Sequence, residues 1–331
     1  MRITILAYAE NEKEETFDLV VGQVAAALRK GGHRVSILGV YGNVGKLISG
    51  LKRRQPDLVF NLMEQFSEDI YSDVGVVGLL DLLGIPYTGG GPGEFYLQQD
   101  KALGKKLLAF DRVRFPDFAV FTPDAGLETG GNLHMPLFVK PLRADASIGI
   151  NCKSLVHTSG ELMNRVTAIH KHVHDAALAE EYIEGREFYV GILGNHEPTA
   201  FPPIEIDFSG FPEGKPKIMD GRAKFAKGTP EYEGTNAVIA DIPDELRARL
   251  QQVSKDACRA LKVRDYGRVD LRLTEAGDIY VIEVNASCYL EQSSEFAKAA
   301  AAAGIDYVAL INRIVELAME RAERRGLVRR I

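Results

Sequence analysis

No run of apolar residues in this 331-residue chain approaches the roughly 18 that a membrane-spanning helix needs. Cysteine is scarce: Cys152, Cys258 and Cys288 are widely separated and odd in number, which argues against a disulfide framework or a zinc cluster. An excess of positive charge is also missing. With a net charge of −6 the chain does not read as a general nucleic-acid binder, and the basic clusters at 52–54 and 324–330 read as solvated helix faces. The opening "MRITILAYAE" meets acidic residues too early for a secretory signal, so the expected location is cytoplasmic, with no membrane partner. What is present, 46% hydrophobic and 26% charged residues, describes a globular protein of two or three domains.

Strand and helix patterns alternate through residues 1–96. "RITILA", "HRVSILGV" and "PDLVFNL" read as buried strands, with amphipathic helices between them, so an N-terminal parallel α/β domain is expected. Such sheets bind ligands at the carboxyl ends of their strands, which singles out Asn61, Glu64 and Glu68. From residue 97 the pattern becomes α+β. A helix is expected over 97–110, then short strands in "FAVF" and "LFVKPL", a helix around 159–174, and the extended "ALAEEYIEGREFYVGILGN". Helices at 243–262 and 295–325 accompany a hairpin, the alanine-rich "FAKAAAAAG" being a strong helix that ends at Gly304. The expected divisions are 1–96, 97–178 for a central lobe and 179–331 for a C-terminal lobe.

The hairpin "YGRVDLRLTEAGDIYVIEVNAS" carries the most local information. With Ala276-Gly277 as a two-residue loop, one face pairs Val269 with Val284, Leu271 with Ile282 and Leu273 with Tyr280. The other face pairs Arg268 with Asn285, Asp270 with Glu283 and Arg272 with Val281. Opposed carboxylates repel unless something positive lies between them. Asp270, Glu283 and Asn285 form an oxygen set suited to Mg²⁺, and Arg268 beside them could hold a phosphoryl group or an oxyanion. A solvated outer face with ion pairs is an equally good local reading.

Three other segments bear on chemistry. A strand delivers Lys140 ahead of a small-residue loop with Arg143, Ser147 and Gly149, which could wrap phosphates; a merely exposed lysine explains it as well. "AEEYIEGREF" could offer a backbone edge to adenine and Glu187 to ribose hydroxyls, or serve only as a charged edge that resists aggregation. His170 and His174 lie four apart, but with no accompanying carboxylate motif they read as a solvated helix end. Cys288 has no base partner in sequence and reads as pocket lining or as neutral.

In order and spacing these segments resemble the D-alanine-D-alanine ligase branch of the ATP-grasp superfamily over nearly the whole chain. The matching stretches are "GIPYTGGGPGEFYLQQDKALGKKLL", "FVKPLRADASIGI", "EEYIEGREFYVGILGN", "RAKF" and "GRVDLRLTEAGDIYVIEVNAS". The resemblance implies an ATP-grasp fold with a Rossmann-like N-terminal domain, in which ATP lies between two α+β lobes. It implies phosphate contacts from Lys101 and Lys140, an adenine frame of Glu180, Tyr182 and the Ile183 backbone, and Glu187 on ribose. Two Mg²⁺ ions, or Mn²⁺ in their place, would be held by Asp270, Glu283 and Asn285. Catalytic roles fall to Arg268, Lys224 and Ser147, and substrate contacts to Glu68, Arg268 and Ser294.

The implied reaction is ATP-dependent joining of a carboxylate to an amine through an acyl phosphate, releasing ADP and phosphate. Its partners would be small amino or carboxylic acids, and family membership suggests a homodimer. The substrate side departs from the family pattern. No glutamate among Glu12, Glu14 and Glu15 can be matched to the amine-binding one, and Ala146-Ser147 replaces a serine pair. Phe225 follows Lys224 where a tyrosine is usual, Met63-Glu64 replaces a histidine-glycine pair, and Cys288-Tyr289-Leu290 replaces proline-glycine-methionine. Glu295 follows Ser294 where an apolar residue is usual. A ligase joining another acid or amine, D-alanine-D-alanine ligase proper and a nucleotide-binding relative without turnover are therefore all in view.

Overall fold

The computed structural model describes residues 1–9, 16–63, 65–67, 72–124, 126–144 and 147–327. Glu12, Glu14, Glu15, Glu64, Glu68 and Ala146, all weighed as substrate-side residues, lie outside them.

The first unit runs β1 (Arg2–Tyr8), α1 (Leu19–Lys30), β2 (Arg34–Val40), α2 (Val44–Arg54), β3 (Leu58–Leu62), α3 (Ser72–Leu82) and α4 (Pro92–Gln99). Its three strands form a parallel sheet in the order β2-β1-β3. The middle strand β1 has five consecutive buried residues, all apolar but Thr4, as expected where helices cover both faces. Asp18 caps α1 by accepting from the Val20 N–H. The buried face of that helix, Val20, Val21, Val24, Ala25, Ala27 and Leu28, has helical spacing.

The central unit comprises α5 (Lys101–Phe110), β4 (Phe118–Phe121), β5 (Leu127–Gly130), β6 (Leu137–Pro141), β7 (Leu155–Val156), α6 (Ser159–His172) and β8 (Ala177–Glu181). Its antiparallel sheet has the order β5-β4-β8-β6-β7. The single helix expected over 97–110 is two helices: Asp100 ends α4 and caps α5, its carboxylate accepting from the Leu103 N–H.

The remaining elements are β9 (Arg186–Leu193), β10 (Thr199–Ala200), β11 (Ile204–Asp207), α7 (Gly221–Phe225), α8 (Pro230–Glu233), β12 (Asn236–Ile239), α9 (Asp244–Ala260), β13 (Tyr266–Leu273), β14 (Ile279–Ala286), α10 (Glu295–Ala302) and α11 (Tyr307–Arg324). Their sheet has the order β12-β11-β9-β13-β14, with β10 paired to β9. As expected for "FAKAAAAAG", α10 ends ahead of Gly304, which adopts a positive φ, and Asp306 then caps α11. The division expected at 96/97 falls inside α4, and the one at 178/179 inside β8, which pairs with β4 and β6 of the central sheet. Helix α11 buries Leu310, Ile311 and Ile314 in one core with β1, α1 and β3, so the C-terminal end of the chain packs against its first unit.

The hairpin departs from its expected register. Arg268 faces Asn285, Val269 faces Val284 and Asp270 faces Glu283, as the loop arithmetic required. Beyond them a bulge shifts the partners to Leu271 with Val281, Arg272 with Tyr280 and Leu273 with Ile279. The connection is also longer than two residues, since the Thr274 N–H donates to the Asp278 carbonyl. One extra residue in β14 reverses the side-chain alternation. Val281 and Ile279, not Ile282 and Tyr280, therefore join the core beneath Leu271, and Ile282 turns to the ligand side of the sheet.

Candidate active site

The central and C-terminal sheets face each other across a cleft. Lys140 and Glu180 come from β6 and β8 on one side; Glu187, Arg268, Asp270, Arg272, Glu283 and Asn285 come from β9, β13 and β14 on the other. Alternation along each strand explains the grouping, because residues two apart share a face. The cleft also takes in Lys101, Ser147, Tyr182, Ile183 and Lys224, so the structure assembles all the predicted nucleotide and metal residues in one place.

Its deepest feature is a buried charge triad. The Glu180 carboxylate lies 2.8 Å from Lys105 Nζ and 3.0 Å from Lys140 Nζ, with all three side chains almost wholly enclosed. Burial would push the Glu180 carboxyl up, but the two ammonium groups outweigh it and hold it below its usual range. Burial works against the Lys140 ammonium too, yet Glu180 and Glu283 raise its pKa overall. For Lys105 burial prevails and the pKa falls. Lys105 escaped sequence reasoning; its one signal was its position one helical turn after Lys101 on α5.

A second layer surrounds Glu283. Lys101 Nζ lies 3.6 Å from it, and that ammonium also donates to the Ala144 carbonyl at 3.0 Å. Burial alone would raise the Glu283 pKa, but Lys101, Lys140, Lys224 and Arg268 together lower it to about 2. Lys224, on the short helix α7, supplies charge from the far wall of the cleft. The loop after Lys140 is anchored at its start by Asp175, which accepts from the Arg143 and Ala144 N–H groups. It is anchored at its end by Ser147, whose hydroxyl donates to the Met219 carbonyl at 3.2 Å and so ties the loop to the segment leading into α7.

Arg268 is held on three sides. Its Nε and Nη2 donate to the two oxygens of Asp270 at 2.7 and 2.9 Å, its Nη1 lies 3.7 Å from Glu295, and its guanidinium stands 4.5 Å from the centre of the Tyr189 ring. Burial opposes the charge, but Asp270 keeps the Arg268 pKa well above its usual value. Asp270 moves the other way: burial, with Glu283 opposite, raises it despite Arg268. Asn285 Nδ2 donates to Asp270 at 3.4 Å. Two opposed carboxylates and an amide oxygen within a lysine-lined cleft form a hard-oxygen donor set of the kind that suits Mg²⁺, and both Asp270 oxygens accept from Arg268. Among the described residues no group of three or more histidine, cysteine or acidic side chains could hold a metal ion, so the donor set rests on two carboxylates and one amide.

At the other end of the cleft, Arg272 pairs with Glu187 and donates to the Gly185 carbonyl at 3.2 Å, while the Tyr189 hydroxyl donates to Glu187 at 2.9 Å. Tyr182 lies 5.8 Å from the Arg272 guanidinium. Ser294 is buried, and its hydroxyl accepts from the Ala297 N–H as the cap of α10. Cys288 is buried in the core and does not line the cleft, and burial pushes its thiol up to about 12. His170 bonds to the Phe121 carbonyl, and His174 lies beyond the end of α6.

The comparisons agree with this geometry. A structure of D-alanine–D-alanine ligase from Bacillus anthracis complexed with ATP superposes with a TM-score of 0.75, covering 98% of this chain and 100% of that one at 23% identity, which shows a common fold. The D-alanine–D-alanine ligase of Aquifex aeolicus is 31% identical, covering 95% of this chain and 100% of its own; that of Desulfotalea psychrophila is 35% identical, covering 76% of each. An uncharacterized protein of Sinorhizobium fredii is 32% identical, covering 93% of this chain and 90% of its own. The family model described as the D-ala D-ala ligase C-terminus matches residues 101–316, the span that builds the whole cleft. The chain belongs to the D-alanine-D-alanine ligase family of ATP-grasp proteins.

Proposed function

We propose that the protein is an ATP-dependent ligase that joins a carboxylate to an amine through an acyl phosphate and releases ADP and phosphate. The observation that carries this reading is the convergence of Lys101, Lys140, Lys224 and Arg268 on Glu283 between two sheets, which lowers that carboxyl to about 2. So much fixed positive charge in a low-dielectric cleft suits a triphosphate whose γ-phosphoryl group is to be transferred.

Each residue then has a task. Tyr182 and Ile183 border the adenine end with Glu180 beneath them, and Glu187, steadied by Arg272, accepts ribose hydroxyls. Lys101, Lys140 and Lys224 neutralise phosphate oxygens, and the loop carrying Ser147 shields the acyl phosphate from water. Arg268 offsets charge on the acyl group as the amine attacks. Mg²⁺ held by Asp270, Glu283 and Asn285 would supply Lewis-acid neutralisation of the phosphate charge. A cytoplasmic setting suits a consumer of ATP, and none of the described helices is long and apolar enough to cross a membrane.

The test is ADP and phosphate release from Mg²⁺-ATP across a panel of carboxylic and amino acids. Turnover with at least one acid–amine pair is expected, and none across a broad panel would overturn the reading. A second reading, D-alanine–D-alanine ligase proper, draws on the names of the Aquifex and Desulfotalea relatives. It requires D-alanine alone to trigger phosphate release.

A further inference from the structure

The N-terminus of α10 meets the Arg268 guanidinium, which lines the cleft, from the side. Separately each is an anion-binding element: the first turn of a helix presents N–H groups and positive partial charge, and a guanidinium presents a fork of donors. Together, next to the metal-side hairpin, they would make a receptor for a substrate carboxylate. In this chain the corner is already filled. Glu295, the first residue of α10, lies within 3.7 Å of Arg268 Nη1, while Asp270 takes Nε and Nη2. The Nε and Nη2 donors are therefore taken by Asp270, Glu295 faces Nη1 as an ion pair beyond hydrogen-bond distance, and the helix start carries its own anion.

Resting on the ligase reading above, we infer that Glu295 is a specificity-determining residue that turns this corner away from carboxylates: the amine joined here carries no free carboxylate next to its nucleophilic nitrogen. An incoming carboxylate would have to displace Glu295 from Arg268 or lie against it. Like charges a few ångströms apart repel, and the repulsion is least screened in a cleft that excludes water, so the preference tips toward a neutral group. A neutral amide or ester end, or a plain amine, meets no such opposition. The hydroxyl of Ser294, which accepts from the Ala297 N–H, keeps its proton for donation to a neutral carbonyl. Glu295 is also only partly covered, with 28% of its side chain exposed, and it reaches the cleft through its contact with Arg268, which lines it.

The experiment uses matched acceptors. Amino acids and their carboxamides, in both configurations, are offered as pairs with Mg²⁺-ATP and a panel of acids, and ADP release is compared within each pair. The wild type is expected to favour the amide by at least tenfold in kcat/KM. Glu295→Gln and Glu295→Leu are each expected to shift the ratio at least tenfold toward the free acid, with circular dichroism confirming the fold. A wild type that favours the free acid, or a ratio that neither variant moves, overturns the inference while leaving the ligase reading intact. Absence of ADP with every pair, in wild type and variants alike, overturns the ligase reading and the inference with it. Calorimetric titration of amide and acid into protein loaded with Mg²⁺ and a non-hydrolysable ATP analogue gives an independent readout, in which tighter binding of the acid to the wild type counts against the proposal.

Discussion

Lys105 lies 2.8 Å from Glu180 in a pocket that leaves 3% of either side chain exposed. A buried ion pair contributes little net stability against a well-packed apolar substitute, but losing one partner strands the other. Here Lys140 shares the same carboxylate, so the two ends are not equivalent. Glu180→Gln leaves two buried ammonium groups short of an anion and should cost about 3 kcal/mol in urea unfolding. Lys105→Met leaves Glu180 paired with Lys140 and fills the space beside Phe115, so it should cost under about 1.5 kcal/mol. A larger loss for Lys105→Met than for Glu180→Gln would show that the pocket is not balanced in this way.

The same triad gives stability a pH dependence. The folded-state pKa of Glu180 lies below its ordinary 4.5, so its contribution is fully present above that value and fades as pH falls below it, where the unfolded chain binds the proton more readily. The stability gap between wild type and Glu180→Gln should therefore narrow in urea melts taken progressively below pH 4.5. A gap that stays constant into the acid range would mean that the carboxylate is not the favoured species in the folded protein.

Much of this site could be read along the chain because its parts are local. Arg268, Asp270 and Asn285 follow from strand alternation and a short connection, and Lys140 from its place at a strand end. The bulge in β14 left no such mark: "DIYVIEVN" contains neither glycine nor proline, and the extra residue is fixed by what β14 packs against, including the Arg114 carbonyl that accepts from the Val281 N–H. Lys105 resembles any helix-surface lysine until α5 is laid over the central sheet. The partnership of Glu295 with Arg268 joins residues on different elements, and only the docking of α10 onto β9 and β13 reveals it.

The joint between the first unit and the C-terminal lobe makes a third test. Asp265 is wholly buried and accepts from Arg321 of α11 at 2.7 Å and from the Gly89 N–H at 2.8 Å, while Arg321 also donates to the Tyr87 carbonyl. Arg321→Met removes the cation but leaves the Gly89 N–H and Asn195 as donors to the carboxylate. A loss of roughly 3 kcal/mol is expected, at the low end for a broken buried pair. Gly89→Ala should destabilise as well, because Gly89 has φ +83° and an added methyl would strike the Ser287 hydroxyl. Unchanged unfolding midpoints for both variants would show that this joint does not hold the units together.

Glu283→Gln separates the chemical role of the cleft from its architecture. The substitution keeps the shape of the side chain and removes the anion on which Lys101, Lys140, Lys224 and Arg268 act, so the cleft gains one net positive charge. ATP, being anionic, should still bind, and the extra positive charge favours it. On the proposed role of Glu283 in holding Mg²⁺, the dependence of turnover on Mg²⁺ should change, because an amide oxygen is a weaker ligand for a hard cation than a carboxylate. Turnover is expected to fall at least a thousandfold, about 4 kcal/mol in the transition state, while calorimetry shows ATP affinity kept within a few-fold. Lys140→Ala should do the opposite, raising KM for ATP because it removes a phosphate-facing cation and leaves Glu180 with Lys105 alone. Wild-type turnover in Glu283→Gln, or an unaltered KM in Lys140→Ala, would separate these residues from phosphoryl transfer and reduce the cleft to a charged structural seam.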